Sequence, residues 1–191
     1  MALLTDILEF NDRFVQEEEF GKYQTDKYPE KKMVVLSCMD TRLVELLPKA
    51  MNLKNGDMKH VKTAGAILTD PFGSAMQSIL VAIYELKADE VFVVGHHDCG
   101  MSSINPDAML EKMTKRGISS ETIKTLKNSG IDLNIWLQGF DDVSESVKNS
   151  VQTIKNHPLI PEDVPVHGLV ISPETGKLDL VVNGYPKQET K

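Results

Sequence analysis

Two short and almost wholly apolar runs, Met33-Val34-Val35-Leu36-Ser37-Cys38 and Glu90-Val91-Phe92-Val93-Val94-Gly95, constrain the fold of this chain more than any other feature. Successive residues of a strand point to opposite faces, so a strand without polar alternation must be covered on both sides. That is the setting of a parallel strand inside a sheet flanked by helices, and parallel strands need long crossover connections. The surrounding sequence supplies them. Met76, Ile79, Leu80 and Ile83 recur at i, i+3, i+4 and i+7, and Val143, Val147, Val151 and Ile154 mark a second helical face. Asp142 and Glu145 have the spacing of a capping box at the start of that second helix. Helices are also expected from about Arg42 to Met51, Asp107 to Arg116 and Ser120 to Lys127, with a weaker strand at Lys59–Lys62. Val164–Ser172 and Leu178–Asn183, joined by the turn-rich Pro173–Lys177, read as a hairpin whose last strand runs antiparallel. The expected fold class is α/β: a three-layer, mainly parallel β-sheet flanked by helices with a C-terminal antiparallel strand, residues 1–191 forming one domain. Leu4, Ile7, Leu8 and Phe14 give the N-terminal segment an amphipathic helical pattern that must pack on something.

Sheets of this kind bind ligands beyond the carboxyl ends of their strands, and both cysteines stand at such ends. Cys38-Met39-Asp40-Thr41-Arg42 leaves the first run, and Gly95-His96-His97-Asp98-Cys99-Gly100 leaves the later one. One cysteine alone is ordinarily a buried small hydrophobe. Two of them with an imidazole, on loops that can converge, form a donor set suited to zinc, and three protein ligands leave the open position of a catalytic site. One such set implies one zinc per chain. Spacing leaves His96 and His97 equally eligible, because neighbours on a strand face opposite ways. Asp40 and Arg42 are close enough for a charge-assisted pair that holds Asp40 off the metal and leaves it able to accept a hydrogen bond from a water there. His60 and His157 are expected to be exposed or near turns, and His167 to be a hydrogen-bonded core residue.

Composition narrows the class of partner. A formal charge of -7 over 191 residues disfavours nonspecific binding to nucleic acid or to an anionic membrane surface. No run reaches the roughly 18 apolar residues of a spanning helix, and the acidic N-terminus lacks the basic region of a signal peptide, so a cytoplasmic location is expected. Two cysteines are too few for a disulfide framework, and a reducing compartment keeps them available to a metal.

Cys38-x-Asp40-x-Arg42 followed by Gly95-His96-x-x-Cys99-Gly100 resembles the signature of the β-class carbonic anhydrases. The similarity extends through SCMDTR, KTAGAI, VVGHHDCGM and VPVHGLVIS, about Lys32 to Asn183, and is closest to the compact archaeal and bacterial subgroup. It implies Zn2+ on Cys38, His96 and Cys99, with Asp40 and Arg42 as a catalytic dyad and Asp40 also able to ligate the metal. It further implies reversible hydration of CO2 to bicarbonate, and a homodimer or assembly of dimers in which the N-terminal helix packs on the partner. Where many members carry Asn-Ala-Gly-Asn, this chain has Thr63-Ala64-Gly65-Ala66, so polar substrate contacts are not carried over. Three other readings stand beside it: hydrolysis of carbonyl sulfide or carbon disulfide on the same scaffold, a noncatalytic zinc-binding or redox-sensing protein, and a nucleotide site at Gly95–Ser102. The last is weak, since Met101 occupies the position of the phosphate-binding lysine.

Overall fold

The computed structural model describes residues 2–186; the first residue and the last five of the expected domain lie outside the described residues. Strand β1 (Met33–Cys38) is buried at every position, as its unbroken apolar sequence requires. It lies between β2 (Met58–Thr63) and β3 (Glu90–His96), parallel to both. β4 (Val166–Ile171) continues the parallel sheet beyond β3, and β5 (Leu178–Val182) closes it antiparallel to β4. The order β2-β1-β3-β4-β5 makes β1 and β3 adjacent central strands. The mainly parallel α/β sheet with a terminal antiparallel strand is therefore the observed architecture.

Each face of the sheet has its own core. On one, Val34, Leu36, Val91 and Val93 pack against α3 (Ser74–Tyr84) and α7 (Val143–Lys155) through Met76, Ile79, Val147, Val151 and Ile154. On the other, Met33, Val35, Val94 and Ile171 meet Leu43 and Leu47 of α2 (Leu43–Ala50). Leu47 is wholly buried, and truncation to Ala would cost about 2–5 kcal/mol. Gly95 lets α7 approach: a Cβ there would stand 2.8 Å from methyl groups of both Val143 and Val147. A Cβ added at Gly100 would meet nothing within 4 Å.

Asp142 caps α7 by accepting from the Glu145 amide at 2.8 Å, while Glu145 itself turns to Lys148, so half of the expected box forms. α4 (Pro106–Lys115) and α5 (Ser120–Asn128) occur within one residue of the spans expected for them. The four-residue α6 (Leu133–Trp136), capped by Asp132, is too short to leave a periodic signal. α1 (Leu3–Gln16) buries no residue; Leu3, Leu4, Ile7, Leu8 and Phe10 stay exposed, and Phe14 stacks on Tyr23 of the adjoining turn.

One histidine departs from expectation, and a second is near a turn, as expected, but buried. His60 lies in β2, half-buried, with Nε2 2.6 Å from the Ser37 hydroxyl; burial, then the charge of Lys62, lowers its pKa to about 4. His157 does follow the end of α7 but is buried against Phe72, its Nδ1 accepting from the Leu159 amide at 3.2 Å. A neutral imidazole can be shielded in this way where a charged one could not, which composition alone does not reveal. His167 is a buried core histidine that accepts from the Gly184 amide at 3.1 Å, as expected.

Candidate metal centre

The two loops leaving β1 and β3 meet at the carboxyl end of the sheet, lining a cleft of about 430 Å3 with Cys38, Met39, Asp40, Gly65, Cys99 and Met101. Cys38 Sγ and Cys99 Sγ are 3.9 Å apart. Tetrahedral geometry with metal–sulfur bonds of about 2.3 Å requires about 3.8 Å between two thiolates, so this pair is spaced for zinc without adjustment. The ligating atoms of Cys38, His96 and Cys99 all lie within 4.8 Å of one another. Among the described residues no other trio of His, Cys, Asp and Glu side chains converges this closely.

His96 is wholly buried, and the tautomer follows from its neighbours. Its Nδ1 faces the carbonyl oxygen of His97 at 2.8 Å, and an oxygen without a hydrogen can only accept. Nδ1 therefore carries the proton and Nε2 offers its lone pair. That Nε2 is buried without a hydrogen-bond partner, a costly state unless a cation completes it. Of the two adjacent histidines, the structure brings His96 to the cysteines, whereas the side chain of His97 is exposed. These residues fit a zinc ion by donor type, spacing and the unpartnered nitrogen.

The cysteines differ. Burial disfavours the Cys38 thiolate, but a second proton on the neighbouring His96 ring, the proton a metal would displace from Nε2, and the amides of Asp40 and Gly65 outweigh it and bring its pKa down to about 7. The Gly65 N–H donates to Cys38 Sγ at 3.3 Å, from a turn that holds Gly65 at φ 71°. A side chain there would also strike Met101 and Phe140 at about 3 Å. For Cys99 burial dominates and the neighbouring Cys38 adds to it, pushing the thiol up to about 11. Cys38 is thus the first of the pair to ionise.

Asp40 and Arg42 form the expected pair with two-pronged geometry: Nε donates to Oδ1 at 3.0 Å and Nη2 to Oδ2 at 2.9 Å. The Arg42 backbone amide adds a third bond to Oδ1 at 2.8 Å. The guanidinium beside Asp40 holds its carboxyl down at about 2. Asp40 Oδ2 lies 3.7 Å from His96 Nε2, at the rim of the donor trio and turned toward Arg42.

Sequence reasoning missed two contributors. Gly65 acts through a backbone N–H, which no side-chain pattern announces. Asp98 bonds Arg42 across 56 residues, a contact that only the convergence of the loops creates. The segment after Cys99 forms a single 3-10 turn, Gly100–Ser103, in place of the long helix whose N-terminus would cradle a phosphate, which removes the nucleotide reading.

Comparison with known proteins agrees with this geometry. Residues 33–178 match the family described as carbonic anhydrase. The chain is 66% identical over 185 residues to the Bacillus subtilis (strain 168) protein named "Putative carbonic anhydrase YtiB", covering 97% of this chain and 99% of that one. A protein of Acidithiobacillus thiooxidans named carbon disulfide hydrolase is 29% identical over 180 residues, 87% of this chain and 79% of its own. Among solved structures, β-carbonic anhydrase isoform I of Trichomonas vaginalis superposes with a TM-score of 0.88 at 36% identity, covering 97% of this chain and 100% of that one. With most of its length matching the family and 97% of it covered by the match to a β-class structure, the chain belongs to the carbonic anhydrase family, in its β class.

Proposed function

We propose that this protein is a zinc-dependent carbonic anhydrase that reversibly hydrates CO2 to bicarbonate and a proton. The observation that carries the reading is the unpartnered, lone-pair-bearing Nε2 of His96 facing two thiols at zinc spacing, with an ionised carboxylate at the rim. Cys38, His96 and Cys99 would hold one Zn2+, which supplies a nucleophile by lowering the pKa of a water. The chain's own residues perform the remaining tasks. Arg42 keeps Asp40 turned from the donor trio, and the lone pair of Asp40 Oδ2 that Arg42 leaves unused would accept a hydrogen bond from a water or hydroxide held beside the trio and so orient it. Gly65 and His97 fix Cys38 and His96 by one backbone bond each. Met101 and Ile104 give the cleft an apolar wall suited to a small uncharged substrate.

The exposed apolar face of α1 supports a homodimer, or an assembly of dimers, in which that face is covered by a second copy. Sedimentation showing only monomer at micromolar concentration would remove that part of the reading. Two reduced cysteines and an acidic surface suit a cytoplasmic protein.

Stopped-flow CO2 hydration by zinc-loaded protein is the direct test. Turnover of CO2 well above the buffer rate is expected. Turnover of carbon disulfide without CO2 hydration would favour the activity named for the Acidithiobacillus relative, and zinc binding with neither would favour a noncatalytic sensor.

A further inference from the structure

Arg42 does more than pair with Asp40. Its Nη1 donates to Asp98 Oδ2 at 2.8 Å, and its Nη2, while donating to Asp40, also donates to the Asp98 carbonyl oxygen at 2.8 Å. With Nε on Asp40, four guanidinium N–H groups are committed, two to each aspartate. Asp98 lies between His96 and Cys99, so Arg42 ties the loop that bears Cys38 to the loop that bears the other two donors.

We propose that Asp98 is a positioning residue that fixes the plane of Arg42 and thereby keeps Asp40 off the metal. The proposal rests on the metal-site reading above but not on the identity of the substrate. An isolated ion pair at this surface would contribute little, because the Asp98 side chain is 85% exposed and water screens its charge. The arrangement is not isolated. Side chain and carbonyl of one residue grip two nitrogens of a planar group, and that fixes orientation where a single contact would not. The left-handed backbone of Asp98, φ 53°, turns its carbonyl and its carboxylate toward the same guanidinium. Asp and Asn tolerate that conformation better than most residues. Without this anchor Arg42, itself partly exposed, gains rotamers that abandon Asp40, and Asp40 Oδ2 is already near the donor trio. The freed carboxylate then competes for the fourth position.

The test uses cobalt-loaded full-length protein, whose visible absorption reports coordination, titrated with thiocyanate as a ligand for the open position. Asp98→Gly removes the side chain without straining the left-handed backbone, and Asp98→Asn restores an oxygen that can accept from Nη1. Asp98→Gly is expected to keep its cobalt and bind thiocyanate about 10-fold more weakly, the low end for changes beside a metal's ligands, with Asp98→Asn close to the parent. Asp98→Ala, which keeps the loop stiffer, must shift in the same direction. In an Asp40→Asn background Asp98→Gly should change nothing, because no carboxylate remains to compete. Equal weakening in both backgrounds, loss of cobalt in Asp98→Gly and Asp98→Ala alike, or unchanged thiocyanate affinity in Asp98→Gly would overturn the role. Parent protein that takes up no cobalt would overturn the metal-site reading and this inference with it.

Discussion

His96, at the carboxyl end of β3, and His167, near the amino end of β4, lie toward opposite ends of the parallel sheet, both buried and both with an unpartnered Nε2. Their other nitrogens make them opposites. Nδ1 of His96 faces a carbonyl and must donate, which leaves a lone pair on Nε2. Nδ1 of His167 accepts from the Gly184 amide, which places the hydrogen on Nε2, 3.8 Å from Glu90. The ring stacks on Phe92 and meets Tyr185 edge-on, while the Tyr185 hydroxyl donates to Glu90 at 3.0 Å. One imidazole is presented to a cation and the other closes a seam between β3, β4 and the C-terminal segment. What distinguishes a ligand from a packed histidine is the bond on the far nitrogen, because burial is the same for both.

The contrast is broken most severely by deletion. His96→Ala, Cys38→Ser and Cys99→Ser should each lose metal and lower CO2 hydration by more than about 1000-fold. His167→Phe should keep its metal. Elemental analysis beside stopped flow checks both, and a metal-free His167→Phe would erase the distinction between the two rings.

Asp40→Asn sharpens the comparison at the metal end. It should keep zinc and lose hydration on the order of 100-fold, since an amide accepts poorly and cannot pair ionically with Arg42. The pH dependence of the pair follows from its sign. Arg42 depresses the Asp40 carboxyl to about 2, so the ionic pair is complete above the ordinary carboxylate range and is lost only as pH falls toward 2. Between pH 6 and 9 the pair is constant. A rise in hydration between about pH 7 and 9 is expected from the metal site and not from Asp40. Arg42→Ala should lower activity across the whole range. A pH-rate profile of both proteins tests this, and full activity in Arg42→Ala would remove the pair from the mechanism.

At the other end the effects are on stability. His167→Phe leaves the Gly184 N–H without its acceptor, a loss of about 1–3 kcal/mol. For a chain of this length that lowers Tm by about 2–4 °C per kcal/mol, measurable by calorimetry on metal-loaded protein. Tyr185→Phe should cost less, because its hydroxyl is exposed.

A further effect, seen only in the acid range, concerns His60. Its pKa is about 4 in the folded chain against an ordinary 6.5, so the unfolded chain binds the extra proton between those values. Stability should therefore fall as pH drops from about 6.5 to 4 and lose nothing further from this group below that. His60→Val should flatten part of that slope in Tm against pH. An unchanged slope would assign it to other groups.

The sheet was legible because β1 and β3 are apolar without alternation, and α3 and α7 because their buried positions keep a helical period. α6 and the 3-10 turns were not, being shorter than any period. The donor cysteines, Asp40 and Arg42 could be read as candidates from their place at strand ends and from family resemblance. The choice between His96 and His97 could not be made from spacing, because it depends on which ring turns inward. His60 was misplaced for the same reason: a titratable ring is shielded by tertiary neighbours that its local sequence does not display. Asp98 and Gly65 act across 56 and 27 residues, beyond any local pattern.

The placement of β1 beside β3 also has an entropic consequence. Cys38 and Cys99 are 61 residues apart, and drawing such a loop closed in a flexible chain costs about 4 kcal/mol. Strand pairing and the Arg42–Asp98 bonds close nearly the same loop during folding. A cation arriving afterwards meets ends already joined, so almost all of its coordination energy remains available as affinity.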